Sequence, residues 1–159
     1  MRTPKSAPTT RRSEMAAFEI EKIAAITPSV ADSIAALVGQ LSSSAKAPTR
    51  EELEAIVNAP GTVLLAVRQS GNLVGMLTLV TFAIPTGIRS IIEDVVVDER
   101  YRGQGVAHAL TKEALVQADA AGARTIDLTS RPSREAANRL YQKLGFQKRE
   151  SNVYRYTLR

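Results

Sequence analysis

The glycine-rich turn Arg-Gly-Gln-Gly that begins at Arg102 carries groups that could bind an anion. It opens a helix-like run, where free N–H groups and the helix dipole favour negative charge, and Gly103 and Gly105 permit backbone conformations closed to other residues. Arg100 and Arg102 add charges that can pair with phosphates. A dinucleotide fingerprint would need a third glycine where His108 stands, so a nicotinamide cofactor is disfavoured. The turn predicts a phosphate or pyrophosphate site, unless it is an ordinary tight turn with exposed arginines.

Two adjacent acids interrupt the apolar run that precedes this turn. Glu93 and Asp94 point to opposite faces of a strand unless a bulge intervenes, so at least one is expected on the packed side. Because burying a carboxylate is costly, such a residue usually has a partner or a task, and the task here would be to accept a proton. The alternative is that both acids lie on a splayed strand and serve solubility or a salt bridge with Arg89 or Arg131.

A tyrosine near the end of the chain is the candidate proton donor. Tyr141 lies at the edge of the apolar stripe of the helix-like segment REAANRLYQKL, one turn after Asn138. Such a tyrosine could bury its ring and place its hydroxyl in a cleft, where it would donate a proton to a leaving group. The alternative is a tyrosine at the edge of the core whose hydroxyl binds a backbone carbonyl.

The composition excludes several kinds of chemistry. The chain has no cysteine, and its single histidine, His108, leaves a transition metal almost no ligands, so no metal is predicted. More than half of the net charge of +5 lies in the first 17 residues, so nucleic acid is disfavoured as a partner. No apolar run approaches the roughly 20 residues that span a bilayer, so we expect no membrane association and a cytoplasmic location.

The first 17 residues differ from the rest of the chain. They are basic, rich in Ser, Thr and Pro, and without an apolar segment, which predicts a disordered tail or an upstream start before a domain opened by Met15. An organellar transit peptide has a similar composition. Residues 18–159 are then predicted to form one domain.

The apolar periodicity predicts a mixed order of strands and helices. The strands are expected in FEIEKIA, TVLLAVRQ, LVGMLTLVTF, GIRSIIEDVVVD, TIDLTS, FQKRE and NVYRYTL. Helices are expected in the segment after Thr27, in REELEAIVN behind a Thr49–Glu52 capping box, from Val106 to Gly122, and in REAANRLYQKL. Antiparallel hairpins at both ends of the chain would flank a strand–helix–strand crossover.

This order and two motifs resemble the GNAT superfamily of acetyl-CoA-dependent N-acetyltransferases over roughly residues 18–158. Residues 100–107, RYRGQGVA, are similar to the family's pyrophosphate turn Q/R-x-x-G-x-G/A, and residues 138–146, NRLYQKLGF, to its Asn-x-x-Tyr-x-x-x-Gly-Phe segment. The resemblance implies an α/β (α+β) fold. Its sheet would be mixed and mostly antiparallel, with six to seven strands, about four flanking helices, and fourth and fifth strands that splay apart.

The resemblance also implies roles for named residues. The backbone of residues 95–97 would pair with the pantetheine arm, the turn would wrap the pyrophosphate, and Tyr141 would protonate the departing thiolate. Glu93 is our candidate base, and a backbone N–H near Val95 would meet the oxyanion. The predicted acetyl-CoA-binding residues are Val95, Val96, Val97, Arg102, Gly103, Gln104, Gly105, Val106, Ala107, Asn138 and Tyr141.

The acceptor is left open at this point. A small-molecule amine is the main hypothesis, a protein or peptide amine is the second, and a non-catalytic acyl-CoA-binding module is the third. The strand IIEDVVV is also similar to that of amino-sugar phosphate acetyltransferases, but no sugar-phosphate pocket is recognisable. A homodimer is one option for the assembly.

Overall fold

The computed structural model describes residues 18–158 of the 159-residue chain. The predicted tail of residues 1–17 lies outside the described residues, as does the last residue of the predicted domain. The elements are β1 (Glu19–Lys22), α1 (Pro28–Leu41), α2 (Arg50–Asn58), β2 (Thr62–Gln69), β3 (Asn72–Ile84), β4 (Gly87–Val97), a 3-10 turn (Glu99–Tyr101), α3 (Val106–Ala120), β5 (Thr125–Leu128) and α4 (Glu135–Lys143). Within this part of the chain, none of the helices is long and apolar enough to cross a membrane.

The first two helices begin where their capping residues predict. The backbone N–H of Val30 donates to the Thr27 hydroxyl at 3.3 Å, and a proline occupies the first turn of α1. At α2, the Glu52 N–H donates to the Thr49 hydroxyl at 3.2 Å and the Thr49 N–H donates to the Glu52 carboxylate at 2.7 Å. The predicted capping box is therefore confirmed.

The strands form one mixed sheet in the order β1-β2-β3-β4-β5. The first four are antiparallel neighbours, and β5 pairs with β4 in parallel after the crossover through α3. The fold class and the antiparallel start of the sheet are confirmed.

The predicted sheet of six to seven strands is wrong in its count, because five strands are described. The segments FQKRE and NVYRYTL have no regular secondary structure. Their strand-like composition reflects β-branched and aromatic residues, but a strand also needs a partner, and here Val153, Tyr154, Tyr156 and Leu158 are between 76% and 88% exposed.

Each face of the sheet packs against its own helices. On one face, α1 and α2 cover a cluster that includes Leu64 and Met76. On the other, α3 covers a cluster that includes Leu77, Leu79 and Leu110. We call these the α1/α2 face and the α3 face.

Candidate active site

The central strand β4 changes face at a β-bulge. Two of its residues, Asp94 and Val95, stand opposite the single residue Leu77 of β3, and Asp94 adopts a left-handed φ of 51°. Ile92 packs on the α3 face, whereas Val96, four positions later, packs on the α1/α2 face. An unbroken strand would place both on the same face, so the bulge reverses the side-chain alternation.

Both acids of this strand are exposed, so the expectation that at least one is buried is wrong. Glu93 neighbours the inward-facing Ile92 and therefore lies on the α1/α2 face, but the helices do not reach over it. Asp94 is exposed at the bulge itself. The four ion pairs of the described residues do not include Arg89 or Arg131, the salt-bridge partners considered for these acids.

Beyond Ile92 the strands β4 and β5 separate, as predicted. Their parallel pairing ends where Ile92 meets Leu128. The Asp98 N–H donates to the Val74 carbonyl of β3 at 2.9 Å, so strand alternation directs the backbone groups of Val95 and Val97 towards the gap. The backbone of Val96, between them, is directed to β3 instead.

The glycine-rich turn places the start of α3 at the end of β4. Gly103 and Gly105 have φ values of 74° and 89°, in the left-handed region that favours glycine. A Cβ at either position would meet no protein atom within 4 Å, so the backbone conformation, and not crowding, requires glycine. No side chain of the described residues caps α3, whose first N–H groups therefore lack such a partner.

A third glycine lets α3 approach the sheet. A Cβ at Gly75 in β3 would lie 2.7 Å from Cγ1 of Val106, and Val106 itself is fully buried. The close contact fixes the first residue of α3 against the sheet.

Side chains of the turn bind back onto its own backbone. The Arg102 Nε donates to the Val97 carbonyl at 3.2 Å, and the Gln104 amide donates to the Arg100 carbonyl at 3.1 Å. Ala107 follows in the first turn of α3, where its carbonyl accepts from the Thr111 hydroxyl at 2.8 Å.

A buried carboxylate, missed in the sequence, holds the segment before the turn. Nε and Nη2 of Arg100 each donate to Asp98 at 3.0 Å, so this arginine is already paired and is not a free phosphate ligand. The Gln40 side chain of α1 donates to Asp98 at 3.3 Å and accepts from the Glu99 N–H at 2.9 Å. The Arg100 hydrogen bonds hold the pKa of Asp98 well below its usual range. An aspartate two residues before an arginine at a turn is a capping signal that could have indicated this contact.

Tyr141 is the buried residue of α4. It is 7% exposed, and its ring packs edge-on against Phe146 with centroids 5.8 Å apart. Burial raises the pKa of Tyr141, and the positive charge of Arg134 opposes the shift. The hydroxyl therefore stays protonated at neutral pH, as a proton donor must.

Asn138 positions the loop between β5 and α4. Its side-chain amide donates to the Arg131 carbonyl at 3.0 Å, and its backbone N–H donates to the Arg134 carbonyl at 3.0 Å. The side chain is half-buried one turn before Tyr141.

Some of the predicted site residues can be assigned to opposite faces of the sheet. Val95, Val97 and Phe146, the ring partner of Tyr141, border the same cluster on the α3 face. Glu93 lies on the opposite face. Among residues 18–158, no three His, Cys, Asp or Glu side chains group as a metal site.

Solved structures share this architecture. An acetyltransferase of Trypanosoma brucei is 26% identical, with a TM-score of 0.73 over 89% of this chain and all of that one. A glucosamine-6-phosphate N-acetyltransferase of Arabidopsis thaliana is 20% identical, with a TM-score of 0.73 over 88% of this chain and 98% of that one. An aminoglycoside acetyltransferase from an uncultured soil metagenomic sample is 16% identical, with a TM-score of 0.77 over 89% and 97%. At these low identities, the last two show the fold alone.

The sequence has a relative and a family match. It is 38% identical over 73 residues to N-alpha-acetyltransferase 30 of Schizosaccharomyces pombe, a match that spans 46% of this chain and 48% of the relative. Only about half of that relative's length is therefore covered. The acetyltransferase (GNAT) family matches residues 34–146. This chain belongs to the GNAT family of acetyltransferases.

Proposed function

We propose that the protein transfers the acetyl group of acetyl-CoA to a primary amine of a small molecule, by direct attack within a ternary complex. The observation that carries this proposal is the gap beyond Ile92. The backbone groups of Val95 and Val97 point into it, the uncapped start of α3 follows the end of β4, and the Glu93 side chain lies on the α1/α2 face of the same strand. Two reactants that enter from opposite faces would meet there, which makes the attack effectively intramolecular.

Acetyl-CoA would bind from the α3 face. The backbone groups of Val95 and Val97 are directed to the gap and could pair with the amide-bearing pantetheine arm as a strand would. The uncapped N–H groups after Gly105 suit the pyrophosphate, because a helix start carries partial positive charge. Arg102 and Gln104 support the shape of this turn, and Asn138 would lie along the acetyl-CoA channel, as the family resemblance implies.

The reaction requires a neutral amine. A primary ammonium cannot attack, so Glu93 would take a proton from it, directly or through a water molecule. The amine nitrogen then bonds to the thioester carbonyl carbon, and the oxyanion that forms would be met by a backbone N–H near Val95. An exposed carboxylate on the open face suits a proton relay to solvent.

Collapse of this intermediate breaks the carbon–sulfur bond. The electron pair goes to sulfur, and Tyr141 would supply the proton that converts the thiolate to a thiol and then regain a proton from solvent. The nitrogen, which is cationic after the attack, would release its extra proton to water as the amide forms. Burial raises the pKa of Tyr141, and a thiolate formed beside it would be less solvated and more basic for the same reason. No covalent enzyme intermediate is needed.

A protein N-terminus is the second candidate acceptor. The 38% identity to N-alpha-acetyltransferase 30 over 73 residues favours it. A peptide acceptor would have to lie along the open α1/α2 face beside Glu93, and not in a closed pocket.

A thiol-release assay with acetyl-CoA tests the proposal. The panel would contain amines, amino sugars, polyamines and peptides with free N-termini. Release that depends on a small amine is the expected result. Release with peptides alone would favour the second candidate, and no release with any amine would contradict the proposed activity.

A further inference from the structure

Part of the α1/α2 face is left uncovered next to Glu93. In the register of the sheet, Val80 and Phe82 of β3 and Ile91 of β4 lie on the same face as Glu93 and are only half-buried. On the opposite face their neighbour Leu79 is fully buried under α3. We call Val80, Phe82 and Ile91 the open floor.

A basic cavity of about 300 Å³ lies at the far end of this floor. Arg89, four residues before Glu93 in β4, lines it, and Thr125 of β5 is its direct register partner. Arg124 and Thr86 complete the lining. None of the described residues that line the cavity is a carboxylate, and neither arginine takes part in the ion pairs found between residues 18 and 158.

Both arginines are held in place by the β3–β4 turn. Nη1 of Arg124 donates to the Thr86 carbonyl at 3.1 Å, and its backbone N–H donates to the Ile88 carbonyl at 2.9 Å. Nη2 of Arg89 donates to the Thr86 hydroxyl at 3.4 Å. These bonds use only part of the donor set of each guanidinium, so further N–H groups are free to bind an anion.

We propose that the acceptor carries a carboxylate or phosphate that binds Arg89 and Arg124 while its amine lies at Glu93. This inference rests on the proposed function and names the chemical class of its substrate. Four strand residues separate the Cα atoms of Arg89 and Glu93 by about 13 Å, which sets the scale of the distance between amine and anion. The open floor would contact the apolar chain between them, as Val80, Phe82 and Ile91 offer no charge.

The charge pattern selects against other amines. A guanidinium pair repels a second cation, so polyamines and polycationic aminoglycosides should be poor substrates. Asp127 is the nearby acid on this face, two residues after Thr125, and its position towards Glu93 would favour the amine end of the ligand.

Matched amines test the inference. We would compare 6-aminohexyl phosphate with 6-aminohexanol, and the peptide amide Gly-Gly-Glu with Gly-Gly-Gln, in the thiol-release assay. The anionic member of each pair should have a KM at least roughly tenfold lower, since charge-assisted hydrogen bonds are strong. The two pairs distinguish a phosphate from a carboxylate as the preferred group.

Arg89→Gln and Arg124→Gln should remove this preference. The KM of the anionic amine should rise to that of its neutral partner, while kcat and the KM of acetyl-CoA stay unchanged. Arg50→Gln, which removes one charge from the exposed surface of α2, is the matched control and should leave the preference intact. Arg89→Glu should shift the preference to 1,6-diaminohexane. Melting curves within a few degrees of the wild type would show that the variants fold.

The outcomes separate this inference from the proposed function. If both members of each pair are acetylated with equal KM, the proposed anion site is overturned. The proposed acetyltransferase activity would still stand. If no amine is acetylated, the proposed function fails, and the binding of inorganic phosphate measured by NMR decides the site. Shifts at residues 86–89 that vanish in Arg89→Gln would support it, and their absence in the wild type would overturn it.

Discussion

The two faces of the sheet offer different kinds of chemical group to the two proposed reactants. On the α3 face the candidate ligands are backbone groups at Val95, at Val97 and at the start of α3, held by buried contacts such as that of Val106 with Gly75. On the α1/α2 face they are side chains, the exposed Glu93 and the half-buried Arg89, on a floor that none of the described helices covers. Backbone groups can bind the same ligand in any sequence that adopts this fold, whereas side-chain groups are altered by each substitution. We infer from this comparison that acetyl-CoA binding depends mainly on backbone groups, and acceptor binding mainly on side chains.

The largest effect is expected at the buried tyrosine of α4. Tyr141→Phe should lower kcat about 100-fold or more, because it removes the proton donor and keeps the ring packing. The KM of acetyl-CoA should change little. Tyr154→Phe, in the exposed C-terminal segment, is the control and should behave as wild type. An unchanged kcat in Tyr141→Phe would remove this residue from the acid role.

Strain in the glycine-rich turn should weaken the binding of acetyl-CoA and leave the binding of the acceptor unchanged. Gly103→Val places a β-branched residue at a φ of 74°, at a cost of about 2 kcal/mol, so acetyl-CoA should bind roughly 30-fold more weakly. Gly71→Val is the matched control, since Gly71 has a φ of 82° in the β2–β3 turn, outside the glycine-rich turn. The Gly71→Val variant should lose a similar free energy of unfolding, and its affinity for acetyl-CoA in a calorimetric titration should equal that of the wild type. Equal affinities in the two variants would leave the turn without a binding role.

On the open face, replacing the candidate base should have a smaller effect. Glu93→Gln should lower kcat about tenfold, less than is usual for general bases, because solvent reaches an exposed site and can replace the carboxylate in part. Acetyl-CoA affinity should stay the same. Asp94→Asn, one residue further on, should retain more activity, and equal losses in both variants would argue against a special role for Glu93.

The smallest effect is expected at the contact that joins α1 to the turn. Because Arg100 lowers the pKa of Asp98, this carboxylate stabilises the folded state at pH values above its unfolded pKa of about 4, and the contribution is lost as the pH falls through the folded value. Asp98→Asn should cost about 1 kcal/mol at pH 7, at the low end because the Arg100 side chain is 76% exposed.

Urea unfolding at several pH values measures this change. The wild type should lose stability relative to Asp98→Asn below about pH 4. The KM of acetyl-CoA in the variant should rise about threefold, because the turn is less firmly held. Glu99→Gln, the adjacent residue, should show neither effect. A variant as stable as the wild type at pH 7 would contradict the structural role of Asp98.

Local signals in the sequence predicted the elements that local chemistry controls. The Thr49–Glu52 box, the Gly103–Gly105 turn and the hairpin of β2 and β3 each depend on residues close in the chain, and each was predicted correctly. The expectation that Glu93 or Asp94 is buried was wrong, because the exposure of these acids depends on the register of β4 against Leu77 of β3.

Features that depend on distant partners were missed or wrong. Asp98 binds Gln40 of α1, a residue far away in sequence, and Arg124 reaches the cavity only because β5 returns beside β4. The final strands were predicted from composition, but the described segment has no partner strand, and its apolar side chains are exposed.

Amide hydrogen exchange with and without acetyl-CoA tests most directly whether acetyl-CoA binds at the backbone groups of the α3 side and leaves the anion-binding end of the α1/α2 face free. The account predicts slower exchange at Val95, Val97 and residues 103–107 when acetyl-CoA is present, and no change at residues 86–89. Slower exchange at residues 86–89, or unchanged exchange at residues 103–107, would contradict this account.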